Sequence, residues 1–299
     1  NLPVTLWLGN SQLDTINQRK TGDVLSSVTL HELLKKKKQF LVTFSQPNAN
    51  LQEHLILASH LIQKLPIENL ILPVVFDDMR EINIRTEIEN IFDDQMSKNF
   101  LVQYSSVGKK LYSKYLEGKK NTNLSNKKYI SLQENSEKNL NKNLEKIWPL
   151  WSMRSNLRGE LFVSLYVLRN YIFRIDPSTT RKMLPGHYIK NFLAIEELMK
   201  VLNSKKIKTF VYIVPIRNDY KIPYKLDQYS KFKNDIEYLS KKNNIKFNNF
   251  ESIIPNVLWG KKNSTTIGNK LEIDFMHFTG NGHDILANNI YQEIIKLID

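Results

Sequence analysis

Serine, histidine and aspartate are the residues here whose types and spacing suggest chemistry. Gly9-Asn10-Ser11 closes an apolar run that begins at Val4, and Asp274-Phe275-Met276-His277 stands near the other end of a chain of 299 residues. A serine hydroxyl is a weak nucleophile until an imidazole takes its proton, and that imidazole needs an acceptor to fix its tautomer. The chain has six histidines, His31, His54, His60, His187, His277 and His283. His277 alone has a carboxylate three residues before it, in what reads as a loop entering the last helix. Ser11 is therefore the candidate nucleophile, His277 the base and Asp274 the orienting acid. Three other readings stand beside this one. Ser11 is also a suitable helix N-cap. His283, followed by Asp284, is a rival base that we expect on the first turn of the final helix as a packing or capping residue. Asp274, His277 and His283 could also serve as metal ligands, but no His-Glu-x-x-His pattern or cysteine site accompanies them. The elbow Gly-x-Ser-x-Gly is not satisfied, because Leu13 holds its last position.

These groups need a scaffold that brings the two ends together. Apolar runs at Val4–Leu8, Phe40–Phe44, Leu70–Phe76, Thr209–Pro215 and, shorter, Lys246–Phe250 read as buried strands. Helical spacing separates them at Thr29–Lys38, Leu51–Leu65, Ile189–Asn203, Tyr229–Lys242 and Asn281–Leu297. Alternation of this kind predicts a mostly parallel sheet covered on both faces. One stretch, from Thr86 to Arg174, shows helical pattern without a strand and reads as an insertion into a single domain. Its centre, Gly118–Glu145, is polar and reads as mobile, and Trp148-Pro149-Leu150-Trp151 is expected to return the chain to the body. Leu161–Phe173 reads as a buried amphipathic helix, too short and too interrupted by Arg169 to span a bilayer.

Composition sets broader bounds. Hydrophobic residues make up 41% of the chain and charged residues 24%, as in ordinary globular proteins. Cysteine is absent, which excludes disulfides and thiolate metal sites. The formal net charge is +13, either a lysine-rich solvated surface or an attraction to an anionic partner. No RNA-binding aromatic motif, zinc-finger spacing or basic heptad region accompanies it, so nucleic acid is not an expected partner. The chain opens on Asn1 and enters a strand almost at once, which leads us to expect a removed leader or membrane anchor.

The blocks at the two ends resemble those of the SGNH (GDSL-like) hydrolases. Gly9-Asn10-Ser11 is similar to the first block, usually Gly-Asp-Ser, with Asn10 in place of the acid, and Asp274-x-x-His277 is similar to the last. The wording Gly-Asn-Ser-Gln and Asp-Phe-Met-His-Phe-Thr-Gly resembles the bacterial branch that includes DltD-like and AlgX/AlgJ-like proteins of surface-polymer acylation. This resemblance implies a flavodoxin-like three-layer α/β/α fold and a serine esterase or O-acyltransferase without metal or cofactor. It further implies an acyl donor, a hydroxyl acceptor or ester substrate, and a membrane acyltransferase as partner. An extracytoplasmic location follows from the same resemblance, with the cytoplasm as the alternative.

The middle blocks depart from the family pattern. No glycine follows the second strand, and Asp77 falls where an asparagine is expected after the third. An ionised Asp77 would repel an oxyanion. Asn48 or Asn50, together with the Ser11 N–H, is the expected oxyanion hole, although both asparagines also suit the turn around Pro47. Arg80, Arg85 and Arg217 fall near strand ends, where arginine binds carboxylate or phosphate groups. Each could instead pair with Asp77, Asp78 or Asp219, and Asp77 and Asp78 could cap the following helix.

Overall fold

The structure is a computed structural model that describes residues 2–120, 164, 165, 167–174, 176–262 and 271–298. These residues fall into two compact units. The first comprises residues 1–112, 177–262 and 272–299, and the second residues 113–176 and 263–271.

The first unit is built on five parallel strands, β1 (Val4–Gly9), β2 (Phe40–Ser45), β3 (Ile67–Val74), β4 (Lys208–Ile213) and β5 (Lys246–Asn249). Their order is β2-β1-β3-β4-β5, the doubly wound arrangement of a three-layer α/β/α fold. All five fall where the sequence pattern placed strands; β1, β3 and β4 read as continuous apolar runs because both their faces are covered, whereas the edge strands β2 and β5 are only partly buried.

Every residue of β1 is buried. Trp7, Leu41, Ile71, Phe210 and Tyr212 lie on one face of the sheet. There they pack with Leu30 and Leu34 of α2 (Ser26–Lys35) and with Leu286, Ile290 and Ile294 of the last helix, Gly280–Ile298. Strand side chains alternate between faces. Leu6, Leu8, Leu70 and Leu72, also buried, therefore turn to the opposite layer. That layer holds α3 (Leu51–Lys64) packed on Pro185–Ser204, with α5 (Gln95–Tyr104) beside α3. Between α3 and α5 come β3, a 3₁₀ turn at Asp78–Arg80 and the short helix α4 (Thr86–Glu89). With Pro185–Ser204 as α6, Leu226–Lys242 is α7 and packs on β5, and Gly280–Ile298 is α8.

Two stretches differ from the sequence expectation. Asp274 and His277 lie on a strand, β7 (Glu272–Phe278), paired antiparallel with β6 (Trp259–Lys262), rather than on a loop. Gly280 to His283 forms the first turn of α8, where His283 was expected. In the second unit, the described residues are helical at 113–120, 164–165 and 167–172. There Leu165, Leu168, Tyr171, Ile172 and Phe173 are exposed, so the apolar side chains described in the Leu161–Phe173 stretch are mostly not buried, although Asn170 is. Most of the polar stretch Gly118–Glu145, and all of Trp148–Trp151, lies outside the described residues. Among the described residues no helix is long and apolar enough to cross a membrane.

Candidate active site

Ser11 stands where β1 ends and a four-residue helix, α1 (Ser11–Asp14), begins. In a sheet of this order the chain diverges to either side of β1, and the crevice beyond the carboxyl ends of the strands is where ligands bind. Gly9 is required by close approach. A Cβ there would lie 2.2 Å from Leu13 Cδ1, so any larger residue would lever α1 off the strand end. Asn10 caps α1 by accepting the Gln12 N–H at 3.0 Å. Its Nδ2 donates to Asp78 Oδ2 at 3.1 Å, and both side chains are buried. Burial pushes the Asp78 carboxyl well above the usual range, against the lowering effect of that hydrogen bond, and the nearby Asp77, Glu81 and Glu53 push it the same way. Asn10 thus stands where an aspartate would face a second carboxylate.

The far end of the chain meets this turn. His277 Nε2 lies 3.1 Å from Ser11 Oγ, and His277 Nδ1 lies 2.9 Å from Asp274 Oδ2. With the Nδ1–H donated to the carboxylate, Nε2 is left to accept the serine proton. Residues three apart on a strand ordinarily face opposite sides. Here the Asp274 carboxylate folds back on its own backbone, accepting the N–H groups of Met276 (2.9 Å) and His277 (3.1 Å). Burial alone would raise the Asp274 pKa. The hydrogen bond and charge of His277, together with these two N–H groups, outweigh it and hold the carboxyl below its ordinary value. Asp274 therefore stays ionised and available to an imidazolium.

Two further residues, which the sequence reading passed over, hold the halves together. Asn17 Nδ2 donates to Asp274 Oδ2 at 3.0 Å, and the Asn17 N–H donates to Phe278 O at 2.9 Å. Gly260 on β6 makes room for this amide, since a Cβ there would lie 2.0 Å from Asn17 Oδ1. Gln12 Nε2 donates to Met276 O at 2.8 Å and to Pro215 O at 2.9 Å, tying α1 to β7 and to the loop after β4.

His283 takes no part in this arrangement. Its ring is fully buried in α8, with Nε2 3.1 Å from Thr15 O and Nδ1 2.6 Å from Ser26 Oγ. The Nε2–H donates to the carbonyl, and Nδ1 accepts the serine hydroxyl. Burial lowers its pKa to about 4. Among the described residues no group of three or more histidines and carboxylates is placed to hold a metal ion.

The remaining site candidates, Asn48 apart, are engaged elsewhere. Asn50 is the N-cap of α3. Its Oδ1 accepts the N–H groups of Gln52 and Glu53, and its Nδ2 donates to Asn83 O at 2.9 Å. The Glu53 side chain completes a capping box, for which Asn-x-x-Glu before an apolar run is a sequence signature. Asn48 sits at the exposed tip of the same turn with φ 55°. Asp77 binds Arg80, Arg181 and the hydroxyl of Tyr224. Arg80 also donates to Lys182 O, and Arg85 pairs with Glu53 at 2.9 Å. Arg217 is bidentate to Asp219 (2.7 and 3.0 Å) and donates to Gly260 O. These arginines and Asp77 spend their charge on the scaffold.

One amide at the strand edge beside Gly9 is differently placed. Gln46, just past β2, donates its N–H to Gly9 O at 3.1 Å, and its Oε1 accepts from Arg85 Nη1 at 2.9 Å. Its Nε2 has no acceptor among the described residues.

No protein-family model matches the chain, and no curated protein sequence does. Among solved structures it is similar to that of a candidate acylhydrolase from Bacteroides fragilis. The TM-score is 0.46 at 10% identity, over 99% of this chain and 88% of the other. At that level the likeness says nothing of chemistry.

Proposed function

We propose that this chain is a serine esterase or O-acyltransferase of the SGNH type, working through an acyl-serine. The observation that carries the reading is the unbroken path from Ser11 Oγ through the His277 ring to Asp274, with contacts of 3.1 and 2.9 Å. Ser11 Oγ attacks the ester carbonyl carbon while His277 Nε2 takes its proton. Asp274 stabilises the imidazolium. The oxyanion is met by the Ser11 N–H, which as a first-turn donor has no intrahelical partner, and by the Gln46 amide rather than that of Asn50. Collapse expels the alcohol with the proton from His277. Water then releases the acid, or a sugar or polymer hydroxyl takes the acyl group.

The resemblance of the end blocks to the DltD-like and AlgX/AlgJ-like branch supports an extracytoplasmic glycan or polymer as the acceptor, with a membrane acyltransferase supplying the acyl group. The basic chain suits an anionic polymer.

Fluorophosphonate labelling followed by intact mass tests the reading. One adduct is expected on the wild type, none on Ser11→Ala, and much slower labelling on His277→Ala. Gln46→Ala is expected to lower kcat on an activated ester by about 100-fold with KM little changed, as loss of an oxyanion donor does. Absence of both labelling and ester hydrolysis would instead favour a non-catalytic protein that binds an anionic carrier or polymer on the same fold.

A further inference from the structure

A cavity of about 340 Å³ opens beside the strand end that leads into Ser11, and the triad makes no use of it. Small-molecule sites begin at about this size. Gly9, Ser45 and Gln46 form its end at the carboxyl edge of the sheet, and Phe44, Ala49, Leu57, Leu61, Ile88 and Ile91 give it an apolar wall. The lining on α3 runs from Glu53 to Leu61. At the helical rise this is about 12 Å, room for an alkyl chain of about eight carbons.

The polar groups in the wall carry little charge toward the interior. Burial lowers the His54 pKa to about 4 and also lowers that of His60, so both rings are neutral at pH 7. Glu53 is neutralised by Arg85. Glu87 is exposed and places a carboxylate at the rim, which disfavours an anionic occupant. A two-carbon acyl group would leave this apolar space unfilled.

We propose that the cavity seats the uncharged alkyl chain of a medium-chain acyl ester whose carbonyl reaches Ser11. The inference rests on the serine-ester reading and gives it a substrate class, with the acyl group longer than acetyl. Each methylene moved from water into such a wall favours binding by about four-fold.

Two measurements test it and keep the two readings apart. The first compares kcat/KM for p-nitrophenyl octanoate and p-nitrophenyl acetate. Octanoate is expected to exceed acetate by about 100-fold, a conservative share of six methylenes at about four-fold each. Leu57→Trp, and from the opposite wall Ile88→Trp, are expected to cut that ratio at least about ten-fold, with folding checked by circular dichroism. A wild-type ratio near one, or a ratio unchanged in a folded tryptophan variant, overturns the proposal. The second titrates methyl octanoate into Ser11→Ala, with and without Leu57→Trp. Binding that the tryptophan abolishes supports the alkyl site even if the wild type hydrolyses nothing, an outcome that would sink only the serine chemistry. Hydrolysis of acetate without binding or preferential hydrolysis of octanoate would leave the serine chemistry standing and remove the cavity from it.

Discussion

An aspartate at position 10 is expected to damage this protein, and the size of the damage follows from one contact. Asn10 Nδ2 lies 3.1 Å from Asp78 Oδ2, with both residues buried. Asn10→Asp replaces that donor with an oxygen and sets two carboxyl groups about 4 Å apart between charge centres. At an effective dielectric constant of about 20 their repulsion, if both ionise, is about 4 kcal/mol. The new aspartate still caps α1, and the helix dipole returns at most about 1 kcal/mol. A net loss of about 3 kcal/mol at pH 8 is therefore expected. The loss depends on pH in a defined sense. Burial already holds Asp78 above the ordinary carboxylate pKa, and a second acid raises the pair further. The folded state then keeps a proton that the unfolded chain has released, so stability declines as pH rises through that window. Urea unfolding at pH 5 and pH 8 reads this directly, with most of the deficit absent at pH 5. The exchanged pair, Asn10→Asp with Asp78→Asn, restores one donor and one acceptor and is expected within about 1 kcal/mol of wild type. A single variant as stable as wild type at pH 8, or an exchanged pair no better than the single variant, would refute the reasoning.

Four other outcomes are expected. Asn17→Ala removes one hydrogen bond from Asp274 and lowers kcat about ten-fold. Gly260→Ala, whose Cβ collides with the Asn17 amide, lowers kcat similarly without altering any triad group, and an unchanged rate in both would deny Asn17 a positioning role. Ser26→Ala, which strips the buried His283 ring of a partner, costs about 1–3 kcal/mol in thermal unfolding yet leaves fluorophosphonate labelling of Ser11 intact. Because His54 and His283 both have pKa values of about 4 in the folded state, the unfolded chain binds more protons between about pH 6.5 and 4. Stability is then lost as pH falls through that window, by about 1.4 kcal/mol per pH unit for each ring, and His54→Phe flattens the slope measured by urea unfolding.

The inner strands β1, β3 and β4 were legible because burial on both faces leaves continuous apolar runs, a signal that the edge strand β5, Lys-Phe-Asn-Asn, barely carries. The β6–β7 hairpin was not legible. Trp259-Gly260-Lys261-Lys262 is short and half polar, and β7 mixes Glu272, Asp274 and His277 with its apolar residues. For the site, residue types at the two ends pointed to Ser11, Asp274 and His277, which the fold brings within hydrogen-bond reach. The residues that align them were hidden for a physical reason. Asn17 and Gln12 act across more than 200 residues of chain, and nothing local distinguishes them from surface amides. Asn50 is the opposite case, since its pairing with Glu53 is a local pattern that marks a helix start and so accounts for its amide.

Asp274 and His277 share one short strand outside the five-stranded sheet, whereas Ser11 follows directly on a strand buried at every residue. Asp274 and His277 travel together, so their mutual alignment survives any motion of β7. Their alignment with Ser11 is held by hydrogen bonds from Asn17 and Gln12, together with the Arg217 N–H on Phe275 O and the burial of Phe275 and Phe278. Opening the two-stranded ribbon would disarm the serine while the parallel sheet stays intact. Loss of turnover is therefore expected at lower urea than loss of secondary structure, and catalytic competence can be set by a local equilibrium separate from global folding.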